Sequence, residues 1–138
     1  MTKEPKNITM LVKRIVDVIV SLFLIIFLSP VFLILAILIK LDSNGPVFFR
    51  QTRGGWKNKD FVILKFRTMK VCQVSEKKEF EPGESKRITR VGAILRKTKI
   101  DELPQLFNVL SGQMSIVGPR PEVRKYISYY PERWEKIL

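Results

Sequence analysis

Asp101 and Glu102 are adjacent carboxylates between a basic stretch and an apolar one. Arg90, Arg96, Lys97 and Lys99 precede them, and Arg120 follows in the stiff Gly-Pro-Arg-Pro segment 118–121. A carboxylate can attack phosphorus, or ligate Mg²⁺ that neutralises phosphate oxygens. Cations on both sides suit an anionic substrate. The same pair also fits a helix start, where acidic residues bond free amides and complement the dipole. Both readings stay open on spacing alone. The chain has no histidine and one cysteine, Cys72. This excludes Ser-His-Asp and Cys-His catalysis, histidine bases, the usual zinc and non-haem iron sites, and an internal disulfide.

Two cations lie one strand register apart upstream. Residues 47–53 and 61–69 read as strands around a Gly-Gly-containing loop. Alternation puts Phe61, Ile63, Lys65 and Arg67 on one face and Val62, Leu64 and Phe66 on the other. Lys65 and Arg67 could hold a phosphate or lie on a solvated face. A polar loop follows at 72–87, and then a short basic helix capped by Thr89, with Val91, Ile94 and Leu95 as its apolar stripe. Residues 101–112 read as a further helix. Leu103, Leu106, Phe107 and Leu110 form its buried face, and Gly112 ends it. In the tail, Tyr126, Tyr129, Tyr130 and Trp134 fall near helical spacing among basic residues. They suit either lipid headgroups or packing onto the domain.

The remaining element decides where this chemistry sits. With 138 residues and a net charge of +12 the chain is one domain. Val18 to Ile39 is a run of 22 residues without a charge. As a helix it covers about 33 Å, one bilayer core. Ser29-Pro30 divides it into arms of about 14–16 Å, and proline kinks a helix. The flanks are basic on both sides, and positive residues favour the cytoplasm. That asks both ends to stay on one side, as in a re-entrant hairpin. A kinked spanning helix is the alternative. Asp17 is costly near lipid and calls for a partner, with Lys13 and Arg14 at helical spacing.

These segments together resemble the bacterial sugar transferase family, the monotopic phosphoglycosyl transferases. The residues that carry the resemblance are Lys13-Arg14-x-x-Asp17, Ser29-Pro30, 39–55 (IKLDSNGPVFFRQTRGG), 65–69 (KFRTM), 88–96 (ITRVGAILR), 101–112 (DELPQLFNVLSG) and 114–121 (MSIVGPRP). The match covers roughly residues 11–121. The resemblance implies transfer of a sugar-1-phosphate from a UDP-sugar to undecaprenyl phosphate, with Mg²⁺ and release of UMP, as the first membrane step of a bacterial glycan. It implies Asp101 as nucleophile on the sugar-bearing phosphorus, and Glu102 as a Mg²⁺ ligand or an aid to deprotonating the lipid phosphate. Asp101 and Glu102 are thus both the catalytic and the metal candidates. Lys65 and Arg96 would hold phosphates, and Arg120 the nucleotide or phosphosugar. With Arg67 from the strand reading, these are the candidate phosphate ligands.

The resemblance also implies re-entry at Ser29-Pro30, with the protein on the cytoplasmic face of the bacterial inner membrane. The expected architecture is mostly α with a small β-hairpin (α+β). It divides into a basic segment 1–14, a re-entrant membrane helix 15–40 and a cytoplasmic catalytic domain 41–138 with interfacial amphipathic helices. Expected partners are the UDP-sugar, undecaprenyl phosphate and the bilayer, with no nucleic acid; a homodimer is allowed. Three departures stand out. Asn58 replaces a frequent glycine, Gln113 replaces a usual acidic residue, and the family pattern continues past 138 into a Pro-Gly-x-Thr-Gly motif. A basic nucleic-acid-binding module and an inactive membrane scaffold are the competing classes. The motifs at 65–69, 96–102 and 115–121 argue against both.

Overall fold

A computed structural model describes residues 7–55, 59–71, 87–118 and 121. Asn58, Arg120, the tail aromatics and almost all of the 72–87 loop lie outside them. The order is α1 (Asn7–Asp42), β1 (Phe48–Gly54), β2 (Asp60–Phe66), α2 (Arg90–Thr98), a 3-10 turn (Ile100–Glu102) and α3 (Gln105–Leu110). β1 and β2 form a two-stranded sheet, so the chain is mostly helical with one hairpin.

α1 is one helix of 36 residues with Pro30 inside it. It is long and apolar enough to cross a membrane. Residues 7–14, with their basic side chains, are part of this helix. Helical turns lie on both sides of Ser29-Pro30, where proline adds no N–H to the ladder. Contacts nonetheless divide the chain into two units, and the division falls in α1 between Phe27 and Leu28, next to this pair.

The first unit contains Met1–Phe27, Arg50–Leu64 and Gln105–Leu138. Its organising residue is Asn108 on α3, which is 3% exposed. The Asn108 amide accepts from Leu64 N at 3.0 Å and donates to Val62 O and Gln113 Oε1, each at 2.7 Å. It thereby pairs with β2 as a strand neighbour would, satisfying two backbone groups that would be costly if buried unpaired. α3 ends at Gly112, whose φ of +85° suits glycine. Arg14 donates to the Val109 and Leu110 carbonyls at 2.6 and 2.7 Å, satisfying the helix end. Asp17, 6% exposed, does find a partner, but it is the Ile116 N–H at 3.2 Å.

The second unit contains Leu28–Phe49 and Lys65–Pro104. Ile39, Phe66 and Leu95 are its core, with Phe32, Leu35, Val47, Val91, Ile100 and Leu103 around them. Phe66 stacks on Phe48 at 5.6 Å and tilts against Phe32 at 5.4 Å. Burying such a ring contributes about 1.5–3 kcal/mol. Thr89 caps α2, accepting from Gly92 N at 2.9 Å, and Asp42 at the end of α1 accepts from Val91 N at 2.9 Å. Gly92 lies against the Thr68 backbone so closely that a methyl group there would collide with the Thr68 carbonyl. In the apolar stripe expected of α2, Leu95 is buried, whereas Ile94 is 64% exposed.

The single helix expected over 101–112 is two elements. Glu102 N bonds to Lys99 O and Leu103 N to Ile100 O, closing a 3-10 turn before α3 begins at Gln105. The buried positions of α3 are Asn108 and Val109, while Phe107 is 38% exposed. Pro104, itself buried, has no N–H to carry a ladder bond from one element to the next.

Candidate active site

Three adjoining pieces of the second unit bring the candidate residues together. Lys65 is the penultimate residue of β2, Arg96 lies in the last turn of α2, and Asp101-Glu102 fill the 3-10 turn. Lys99 makes the connection. It caps α2 in the left-handed conformation, φ 61°, and opens the 3-10 turn. A non-glycine residue there costs about 1–2 kcal/mol. This reversal turns the chain back so that the dyad follows directly on the basic end of α2.

Lys65 Nζ lies 2.7 Å from Glu102 Oε1, with both side chains partly exposed. Arg96 donates Nε to Thr68 Oγ1 at 2.8 Å. Asp101 is 9% exposed. Burial pushes its carboxyl above the ordinary value; Lys65 pulls it down, Glu102 pushes it up, and Arg96 and its own backbone N–H pull it down. Chemically, a buried carboxylate flanked by two cations and a second carboxylate can act as a nucleophile or bind a hard metal ion. Asp101 lies in the first turn of the 3-10 element, where its carboxylate bonds its own backbone N–H, and α3 begins only at Gln105.

Arg67 is a correction. It is 4% exposed, and its guanidinium donates to Asn44 O at 2.8 Å, to Ile39 O at 3.3 Å, and to Ser43 O and Oγ at 2.5 and 3.0 Å. It closes the C-terminal end of α1, whose carbonyls need donors. Gly45, φ +130°, makes room: a side chain there would strike this guanidinium. Arg67 is thus engaged at the end of α1, whereas Lys65 pairs with Glu102. Arg120 lies outside the described residues.

Three contributors escape the sequence reading. Thr68 holds Arg96, Asp42 caps α2, and Asn108 fixes β2 just before Lys65. The sequence signal for Asn108 is an amide between the apolar Phe107 and Val109. Gln113, the departure from the family pattern, supplies the acceptor that Asn108 Nδ2 needs, as a carboxylate there would.

Among the described residues there is no cluster of three or more His, Cys, Asp or Glu side chains. Among the described residues, Asp101 and Glu102 are the adjacent carboxylates. That donor set fits Mg²⁺, which binds through one or two carboxylates and completes its shell with water and substrate phosphates.

A profile of the family described as bacterial sugar transferase matches residues 8–137. A UDP-N-acetylgalactosamine-undecaprenyl-phosphate N-acetylgalactosaminephosphotransferase of Aeromonas hydrophila is 48% identical over 91% of the chain and 30% of its own length. A UDP-glucose:undecaprenyl-phosphate glucose-1-phosphate transferase of Klebsiella pneumoniae is 46% identical over 92% of the chain and 28% of its own length. A protein of the same name from Caulobacter vibrioides is 47% identical over 88% of the chain and 45% of its own length. The chain thus spans less than half the length of each of these relatives.

Proposed function

The chain belongs to the bacterial sugar transferase family, and from that premise we propose that it carries the core of a phosphoglycosyl transferase that moves a sugar-1-phosphate from a UDP-sugar to undecaprenyl phosphate. The observation that carries the reading is the buried Asp101 carboxylate, with Lys65 and Arg96 both bearing on it and Glu102 beside it.

In this reading an Asp101 oxygen attacks the sugar-bearing β-phosphorus. The bond from that phosphorus to the bridging oxygen breaks, and UMP leaves with it. The product is an aspartyl-phosphosugar, a mixed anhydride. The phosphate of the lipid acceptor then attacks the same phosphorus. Asp101 is released as carboxylate and the polyprenyl diphospho-sugar departs. In this reading Glu102 takes a proton from the acceptor phosphate, and the charge of Lys65 neutralises oxygens at the reacting centre. Arg96, held at Nε, presents its terminal nitrogens as a fork suited to two phosphate oxygens. Mg²⁺, held by Asp101 and Glu102, would supply further neutralisation of the diphosphate.

α1 would place this centre at the membrane. Its apolar surface is largely exposed, Phe23, Ile26 and Phe27 by 64, 65 and 68%, as suits contact with acyl chains. Basic residues at both ends favour re-entry about Ser29-Pro30 at the cytoplasmic face of the inner membrane.

The test is UMP release from UDP-sugars with undecaprenyl phosphate and Mg²⁺. Without lipid, release of one UMP per active site is expected, with the phosphosugar mass on Asp101. Turnover that leaves no covalent adduct, or that survives Asp101→Asn, refutes the covalent route.

A further inference from the structure

Ile116 and Val117 are 46% and 73% exposed. They sit on a turn that contains no charge from Met114 to Gly118. The mechanism above does not use this turn.

Its attachment is specific. Asp17 Oδ1 accepts the Ile116 N–H at 3.2 Å. Asp17 directly precedes Val18, where the uncharged run of α1 begins. A helix rises about 1.5 Å per residue, so the turn is fixed at the depth where the lipid-facing surface starts. On the same side of α1 as Asp17, Val16 and Val20 are 51 and 37% exposed. The turn thus stands beside this edge of α1 at the level of Asp17.

Its polar groups are also partly satisfied from within. Ser115 Oγ donates to Val117 O at 3.1 Å, and the Ile116 N–H is held by Asp17. Backbone groups that approach hydrocarbon must be bonded inside the protein, since each unsatisfied one is costly there. A turn meant only for water has no such requirement. Two β-branched side chains above partly satisfied backbone can enter the headgroup–acyl boundary, where apolar groups reach about 5–10 Å deep.

We propose that the 115–118 turn is a membrane-contacting wedge, with Ile116 and Val117 dipping into the lipid beside the first turns of α1. This rests on the reading of α1 as a membrane helix. The bilayer is the occupant because the turn carries two exposed apolar side chains and is bonded to α1 one residue before its uncharged run begins.

The experiment uses the full chain with Cys72→Ser, reconstituted in vesicles of phosphatidylcholine and phosphatidylglycerol. A polarity-sensitive fluorophore is attached in separate proteins through Val117→Cys, Phe23→Cys and Lys97→Cys. Lipids spin-labelled near the headgroup end of the acyl chain, and aqueous iodide, serve as quenchers. The label at 117 should lose fluorescence to the spin-labelled lipid and be shielded from iodide relative to position 97. If position 23 is lipid-quenched and 117 is open to iodide, the wedge is wrong while the membrane helix stands. If 117 is shielded from both quenchers, protein covers it, either another segment of the chain or a second copy, and the wedge is again wrong. Loss of lipid quenching at both 23 and 117 overturns the membrane reading itself.

Discussion

Thr68 holds Arg96: the guanidinium Nε–H donates to Thr68 Oγ1 at 2.8 Å. Thr68 is itself fixed. Its carbonyl accepts Thr89 N at 3.1 Å, and Gly92 packs on its backbone. The hydroxyl is a positioning group in the reading proposed here. Thr68→Val keeps the shape and should lower kcat/KM for the UDP-sugar in the same direction as Arg96→Ala, but by less. Thr68→Ser should restore it. In a double-mutant cycle Thr68→Val should cost little once Arg96 is gone. Additive losses would detach Thr68 from Arg96.

Arg96→Ala and Lys65→Ala should each lower turnover about 10²-fold or more, the usual worth of a charge placed on a reacting centre. Lys65→Ala also opens the pair with Glu102, but partly exposed pairs contribute only about 0–1 kcal/mol. Its melting temperature should therefore barely move. A large loss of stability with near-normal turnover would make the pair structural.

Arg67 should behave in the opposite way. Arg67→Met leaves the Ile39, Ser43 and Asn44 carbonyls short of a donor in a buried place. The expected cost is about 2–5 kcal/mol, read by chemical denaturation in detergent. KM for the UDP-sugar should stay unchanged where the variant is folded. A raised KM with unchanged stability would return Arg67 to the phosphate site.

Asp101→Asn should be inactive and more stable than the parent at neutral pH. Burial raises the native carboxyl above its ordinary 3.8, so the folded state binds the proton more tightly than the unfolded state. Ionised Asp101 therefore costs stability above its native pKa, and the cost is relieved as pH falls through that value. The stability gap between variant and parent should be widest near neutrality and close in acid. A variant that is less stable at neutral pH would mean that the carboxylate stabilises the fold.

Ser29-Pro30→Ala-Leu restores a backbone donor and removes the ring clash, which should favour a continuous span. In a Cys72→Ser background, Thr9→Cys and Lys97→Cys in intact cells should both be shielded from an impermeant thiol reagent in the parent. In the Ala-Leu variant one should become reactive. Labelling of only one position in the parent would refute re-entry.

The sequence made some of this legible and hid the rest for physical reasons. The helix of α1, the hairpin and the Thr89 cap follow from local signals: an uncharged run, alternation around glycines, and a hydroxyl before an apolar stripe. The dyad and its neighbouring cations stood out because charges of both signs beside an apolar stretch are conspicuous. Periodicity failed at 101–112, where apolar spacing ran on through a proline that divides two elements. Alternation placed Arg67 beside Lys65 but could not say what it meets, since the end of α1 reaches it only through the fold. The anchoring of Asp17 by Ile116 and the pairing of Asn108 with β2 join residues 99 and 44–46 positions apart, beyond any local pattern.

The C-terminal turns of α1 have a consequence for dissection. Ile39 is a core residue of the second unit, Phe32 and Leu35 line that core, and Asp42, Ser43 and Asn44 engage α2 and Arg67. Excising the apolar helix to obtain a water-soluble catalytic fragment would therefore remove part of the wall on which the reacting groups are mounted. A fragment beginning after Leu41 would lose its largest apolar contacts and open a greasy cleft behind Phe66. Solubilisation is better sought by replacing the outward apolar side chains of residues 28–41 with polar ones, keeping Phe32, Leu35 and Ile39 in place.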